Sequence, residues 1–292
     1  FTQSGMPATL QNDLRFRKSQ SAGKPVLLSV SALDLSRKLK AGYFRDAPGT
    51  PEQVKSEWTA LPFDHQDNIK AYTNYVLWLA AELNATWINY GVESNLAQWA
   101  PADFARYKKF LSEVYSGLKR NLPNTPVMLS LMVTEEPAAM LYAKELLPYS
   151  DYIALSAYPY THVSSSAGGN TNPELFPANY FENWINLDPN KAWCFAETSY
   201  IAENLDIPAY SLKKTGTPDW QQKYLQLATN LLEKRRGKFL IWFCYKDYDA
   251  GEIRLKQTGQ YQALFSFWRD TGLFDENHQA RPALNTWRLF RK

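Results

Sequence analysis

The chain contains no apolar run approaching the ~20 residues that a membrane helix needs, so no helical span of a bilayer is expected. It also lacks a strong charge of either sign: 32 Lys and Arg stand against 29 Asp and Glu over 292 residues, a net +3. That balance is too mild to point to nucleic acid. The one dense basic run, Lys234-Arg235-Arg236-Gly237-Lys238, falls where a helix should end, and cations there complement the helix dipole. Cysteine is nearly absent. Cys194 and Cys244 both sit in strongly apolar segments, where buried free thiols are expected and a disulfide is the rival. Histidine is equally scarce: His65, His162 and His278 are scattered, and no His/Cys/Asp spacing marks a metal site. No glycine-rich phosphate loop follows the first strand, and Gly168-Gly169-Asn170, among serines, reads as a loop tip. There is no G-x-S-x-G elbow for a serine hydrolase. Neither a cofactor nor a metal is therefore expected.

Aromatic residues, by contrast, are abundant. They make up 15% of the chain, with 10 Trp and 18 Tyr. Flat rings stack on the apolar faces of sugars, although cores consume them too. Short apolar runs bounded by turn residues predict six buried strands: Pro25–Leu33, Thr86–Gly91, Pro126–Met132, Ser150–Tyr158, Lys191–Glu197 and Lys238–Tyr245. Helical periodicity lies between them. Asp67–Leu83 repeats Ile69, Tyr72, Val76, Leu79 and Leu83, and Pro101–Arg120 repeats Phe104, Tyr107, Leu111, Val114 and Leu118. Thr217–Arg236 opens with Thr217 as N-cap and Pro218 at the first helical position. Thr9–Ala22 reads as a helix leading into the first strand. Alternating strand and helix imply a parallel sheet covered by helices.

Loop lengths separate a barrel from an open sheet. Helix-to-strand connections are short, whereas Asp34–His65, Pro159–Ala178, Thr198–Gly216 and Lys246–Gln257 are long and rich in Trp, Tyr, Asn and Ser. Elaboration confined to the loops after the strands is what a barrel enzyme presents. The expected fold class is α/β, a (β/α)8 TIM-type barrel forming a single domain over residues 1–292. Six strands are two short of eight, so the first two are expected upstream of Phe1 or lost from this sequence.

Two carboxylates close strands. Glu93 ends Trp87-Ile88-Asn89-Tyr90-Gly91-Val92-Glu93, and Glu197 ends Trp193-Cys194-Phe195-Ala196-Glu197. Retaining glycoside hydrolysis needs two carboxyls ~5–5.5 Å apart, one neutral to protonate the leaving oxygen and one ionised to attack the anomeric carbon. Each Glu alone has a bland alternative, a structural acid paired with Lys or Arg at the barrel rim. Glu135 and Glu136 are rival acids after the third run, but Pro137 follows, and they read as capping the next helix.

The order of elements and both Glu-bearing strands resemble glycoside hydrolase clan A. Within it, Ile153-Ala154-Leu155-Ser156-Ala157-Tyr158-Pro159 and Phe195-Ala196-Glu197-Thr198-Ser199-Tyr200 are similar to strands of the endo-β-1,4-galactanase family. Gly272-Leu273-Phe274-Asp275-Glu276-Asn277, with Arg281-Pro282-Ala283-Leu284 and Trp287, looks like the closing segment of such barrels. The resemblance implies a retaining β-glycoside hydrolase acting on a poly- or oligosaccharide, with Glu93 as acid/base and Glu197 as nucleophile on the fourth and seventh strands. It implies that Tyr158 hydrogen-bonds the nucleophile and that Trp242 floors the site of the cleaved sugar. Val92 stands where clan members usually carry the Asn that binds the sugar 2-hydroxyl, so either Asn95 or Asn89 substitutes for it or the chain belongs to a divergent branch. The first strand, Leu28-Ser29-Val30-Ser31-Ala32, lacks the galactanase-like His. Tyr245 and Asp247 follow the last strand and are expected to reach sugar. The expected partner is a carbohydrate bound by a monomer, without nucleic acid or membrane. The alternative reading is a catalytically inactive barrel that binds carbohydrate.

Overall fold

The computed structural model describes residues 6–42, 60–96, 99–162 and 171–290. All six apolar runs form strands, and a hairpin joins them. In chain order these are β1 (Leu27–Ser29), β2 (Trp87–Gly91), β3 (Val127–Met132), β4 (Tyr152–Ala157), β5 (Ala192–Thr198), the hairpin β6 (Leu205–Ile207) and β7 (Leu212–Lys214), and β8 (Leu240–Trp242). Six of them form a parallel sheet in the order β1-β2-β3-β4-β5-β8. The predicted runs at the two ends of that order were too long, because only their central residues pair. Helices α1 (Ala8–Ser21), α2 (Gln66–Glu82), α3 (Pro101–Asn121), α4 (Pro137–Leu146), α5 (Pro218–Lys234), α6 (Asp249–Gln257) and α7 (Ala283–Phe290) complete the α/β pattern. Among the described residues no helix is long and apolar enough to cross a membrane.

The chain divides into two compact units, one of Phe1–Met132 with Ala138–Ala154, the other of Val133–Pro137 with Leu155–Lys292. In the first, the periodic residues of α3 are all buried, and Val76 of α2 joins them against Ile88 and Tyr90 of β2 and Val127 and Leu129 of β3. Every residue of β3 is buried, as a parallel strand covered on both faces requires. Each such aliphatic side chain contributes ~1.5–3 kcal/mol of burial. Gly91 is required at the end of β2, since a Cβ there would meet Leu129 Cδ2 at 2.5 Å and Ser94 Oγ at 2.7 Å.

The second unit is packed mainly with rings. Tyr224 of α5 stacks on Tyr200 at 4.8 Å between centroids, and its hydroxyl lies 2.6 Å from Thr198 Oγ1. Helix α5 begins as the sequence predicts: Thr217 accepts from the Trp220 amide at 3.1 Å, and Pro218 takes the first turn. Its last turn carries Lys234 from the basic run. The hairpin β6–β7 and helix α6 lie in stretches that the sequence presents as plain connections, and a 3-10 segment follows at Ala263–Trp268.

Candidate active site

In the first unit, β2 delivers Glu93 two residues past its C-terminal end, into a turn that buries it. Its backbone is left-handed, with φ +52, a conformation that a residue with a Cβ adopts at a cost. Two features hold it there. The Glu93 amide donates to Ser130 Oγ of β3 at 2.9 Å, and Arg37 binds the carboxylate. Both bonds land on Oε2, from Nη2 at 2.5 Å and from Nε at 3.1 Å. Arg37 is itself left-handed, with φ +60, in the turn after the first strand. Neither Arg37 nor Ser130 was singled out in the sequence, and only Arg37's place in a long loop after a strand marked it.

In the second unit, β5 presents Glu197, whose Oε1 accepts the Tyr158 hydroxyl proton donor. Tyr158 follows the end of β4, and its ring is buried edge-on against Trp268 at 5.7 Å. On the neighbouring residue, Thr198 Oγ1 donates to the Ala157 carbonyl at 2.7 Å, which ties the two strand ends together. A hydroxyl donating to a carboxylate is a charge-assisted bond that fixes the oxygen it reaches. Glu197 is thus oriented by a partner that the sequence reading named.

The remaining expected contacts divide. Asn95 is buried with its amide spent on backbone: Nδ2 donates to the carbonyls of Met132 and Ala139 at 3.0 and 3.3 Å, and Oδ1 accepts from the Met132 amide at 2.7 Å. Asn89 is likewise occupied, its Oδ1 accepting from the Ser130 amide at 3.1 Å beside a register shift between β2 and β3. Both therefore serve the strand ends rather than presenting a free amide to a sugar. Asn95→Ala should cost about 3 kcal/mol, because it strands buried backbone groups. Urea unfolding will show this, and a raised KM at unchanged stability would restore Asn95 to the binding site. Trp242 is only 8% exposed, with Tyr224 at 6.2 Å and its Nε1 donating to the Thr271 carbonyl at 3.0 Å. That is the packing of a core tryptophan. The exposed positions on either side are Ile241 and Phe243. Tyr245 is 70% exposed and rests on Phe274 at 5.0 Å.

Asp247 is buried and engaged. Arg281 Nη2 lies 2.6 Å from its Oδ2, and Arg281 Nη1 and the Gly272 amide donate to Oδ1 at 3.0 and 2.7 Å. Gly272 is needed for that approach, as a Cβ would come within 2.6 Å of the same oxygen. Burial pushes the Asp247 carboxyl up to about 6, against the opposing pull of Arg281. Among the described residues two acidic groups, Asp247 with Asp249 and Asp270 and Asp247 with Glu203 and Glu276, bring carboxylate oxygens within 4.8 Å of one another. Arg281 and Arg269 already lie against these acids, at 2.6 Å from Asp247 and 2.7 Å from Asp270, and supply the positive charge. Neither cysteine forms a disulfide, and burial pushes the Cys194 thiol well up and the Cys244 thiol to about 11, so both are inert at neutral pH. Glu135 and Glu136 are exposed, and the Gly168-Gly169-Asn170 tip lies outside the described residues.

No protein-family model and no curated protein matches the sequence. Solved structures match it in fold. A fungal β-1,4-galactanase aligns over 97% of this chain and 84% of its own, at 16% identity and a TM-score of 0.59. An endo-laminarinase from a Formosa strain aligns over 99% and 84%, at 14% identity and 0.55. An exo-β-1,4-mannosidase from Opitutaceae bacterium strain TAV5 aligns over 98% of this chain but 49% of its own, at 14% identity and 0.61. At such identities the likeness speaks for architecture: the chain has the fold of TIM-barrel glycosidases.

Proposed function

We propose that the protein is a retaining β-glycoside hydrolase in which Glu197 is the nucleophile and Glu93 the acid/base. The observation that carries this reading is the Tyr158–Glu197 hydrogen bond at the C-terminal ends of adjacent parallel strands, where barrel enzymes keep their chemistry. In the first step Glu197 attacks the anomeric carbon while Glu93 gives its proton to the departing oxygen. In the second, Glu93 takes a proton from water as that water displaces Glu197. The Tyr158 hydroxyl holds Glu197 in line as its charge passes into the covalent ester and returns. Arg37 occupies Glu93 Oε2, so proton delivery from that oxygen requires the guanidinium to give way.

The Arg37–Glu93 ion pair also favours a second reading, a barrel of the same fold that binds glycans without cleaving them, for Glu93 then has a purely structural partner. A panel of β-linked galacto-, manno- and gluco-oligosaccharides and activated aryl β-glycosides separates the two. With Glu93→Ala, kcat/KM on oligosaccharides should fall ~10²–10⁴-fold. Aryl glycosides whose leaving group needs no proton should still release their aglycone in a burst. A wild-type protein that binds these sugars and cleaves none would establish the second reading.

A further inference from the structure

Beyond the Tyr158–Glu197 pair lies a run of aromatic rings that neither the core nor the hydrolytic step uses. Trp268 stands edge-on to Tyr158 at 5.7 Å and contacts Phe243 at 6.2 Å and Phe267 at 6.0 Å. Phe267 in turn meets Tyr210 at 5.4 Å. Exposure rises along this path, from the buried Tyr158 to Phe243 at 38% and Tyr210 at 51%. Solvent-facing rings in an unbroken sequence are costly unless something covers them.

The supports of these rings are rigid. The Phe267 carbonyl accepts the buried Tyr160 hydroxyl at 2.9 Å, and the Phe265 carbonyl accepts that of Tyr248 at 2.5 Å. Ser266, between them, donates to the buried Glu252 at 2.9 Å. Tyr210 sits at the turn between β6 and β7, where Leu205 and Ile207 are buried and Ser211 takes a left-handed φ of 49 to close the loop. Two separate segments thus spend hydrogen bonds and apolar anchors on fixing the half-buried Phe267 and Trp268 and the exposed Tyr210, which is how a site is preorganised for a ligand. The Trp268 indole N–H is buried and finds no acceptor among the described residues.

We infer that Trp268, Phe267 and Tyr210 form a stacking rail that binds successive sugars of a β-linked glycan outward from Glu197, making the substrate a chain rather than a short glycoside. The occupant is a glycan because the rail starts at Tyr158, the hydrogen-bond partner of the candidate nucleophile, and continues ring by ring to the exposed Tyr210. Pyranoses offer one apolar face per unit to such rings. This inference rests on the glycosidase reading and adds the length of the substrate to it.

The test measures kcat/KM, and Kd on a Glu197→Gln background, for β-1,4-galacto-, β-1,4-manno- and β-1,3-gluco-oligosaccharides from disaccharide to hexasaccharide. The protein should gain with each added sugar in at least one series. Tyr210→Ala should flatten that gain, lowering the hexasaccharide-to-disaccharide ratio roughly three- to tenfold, with Phe267→Leu acting similarly. Tyr210→Trp should restore the ratio. Tyr210 is exposed, so its truncation leaves folding intact, and circular dichroism checks this. A length-dependent gain that survives in both variants would overturn the rail and leave the glycosidase reading standing. A protein that neither cleaves nor binds any member of the three series overturns both.

Discussion

Replacing Glu197 by Ala is expected to lower turnover of the best β-glycoside by at least about 10⁴-fold. No glycosyl-enzyme can then form, and loss of a nucleophile is not offset by the groups that merely hold the substrate. Added azide should recover part of the rate by entering the space that the carboxylate leaves, giving an inverted, α-configured glycosyl azide. Proton NMR of the first-formed product reads the anomer directly. The unmutated protein should release the β-anomer, because two displacements restore the starting configuration. Release of the α-anomer by unmutated protein would sink the assignment of Glu197, whatever the fate of the fold.

Arg281→Met is expected to be the most damaging single change for stability. Asp247 is enclosed, its side chain fully inaccessible, and Arg281 is the cation that faces it. Removing one partner of a buried pair strands the other, at a cost of ~3–5 kcal/mol. The sign of the pH dependence follows from burial. The carboxyl holds its proton more tightly when folded, at about 6, than when unfolded, near 3.8. Its contribution to stability is therefore fully present below the unfolded value and is lost as pH rises through about 6. Without Arg281 the opposing pull is gone, so the loss should deepen and extend to higher pH. Denaturant midpoints against pH for the two proteins test this. Equal stability of Arg281→Met and wild type above pH 6 would show that the pair is idle.

Much of the fold was legible because the signals that specify it are local. The periodic residues of α3 and the Thr217-Pro218 start of α5 need only their neighbours to be read, and each forms as expected. The strands were legible for a related reason, since short apolar runs between turns have few other uses in a parallel sheet. Glu93 and Glu197 were visible as acids that end such runs. What surrounds them was not. Asn95 finds its partners at Met132 and Ala139, and Asp247 finds Arg281, at separations that no local pattern encodes. Trp242 was assigned to the sugar by its place on the last strand, but strand alternation turns it to Tyr224 and exposes Phe243 instead. Only a fixed parity tells one face from the other, and a run of six apolar residues from Leu240 to Tyr245 does not display it. The hairpin β6–β7 escaped notice because Pro208 and a three-residue strand on each side carry almost no periodic signal.

On the glycosidase reading proposed above, the left-handed backbone at Glu93 sets stability and chemistry against each other at one position. Glycine would occupy that conformation at no steric cost, so a carboxylate there is kept in spite of the chain's preference. Random replacement will not respect the distinction. Variants that lose the carboxylate to Gly relax the turn as they lose the group, whereas Gln and Ala leave the backbone as it was. For Glu93→Gly, relief of the turn offsets part of the cost of stranding Arg37, so its loss of stability should be smaller than that of Glu93→Ala, and a screen for robustness alone will pass it more readily.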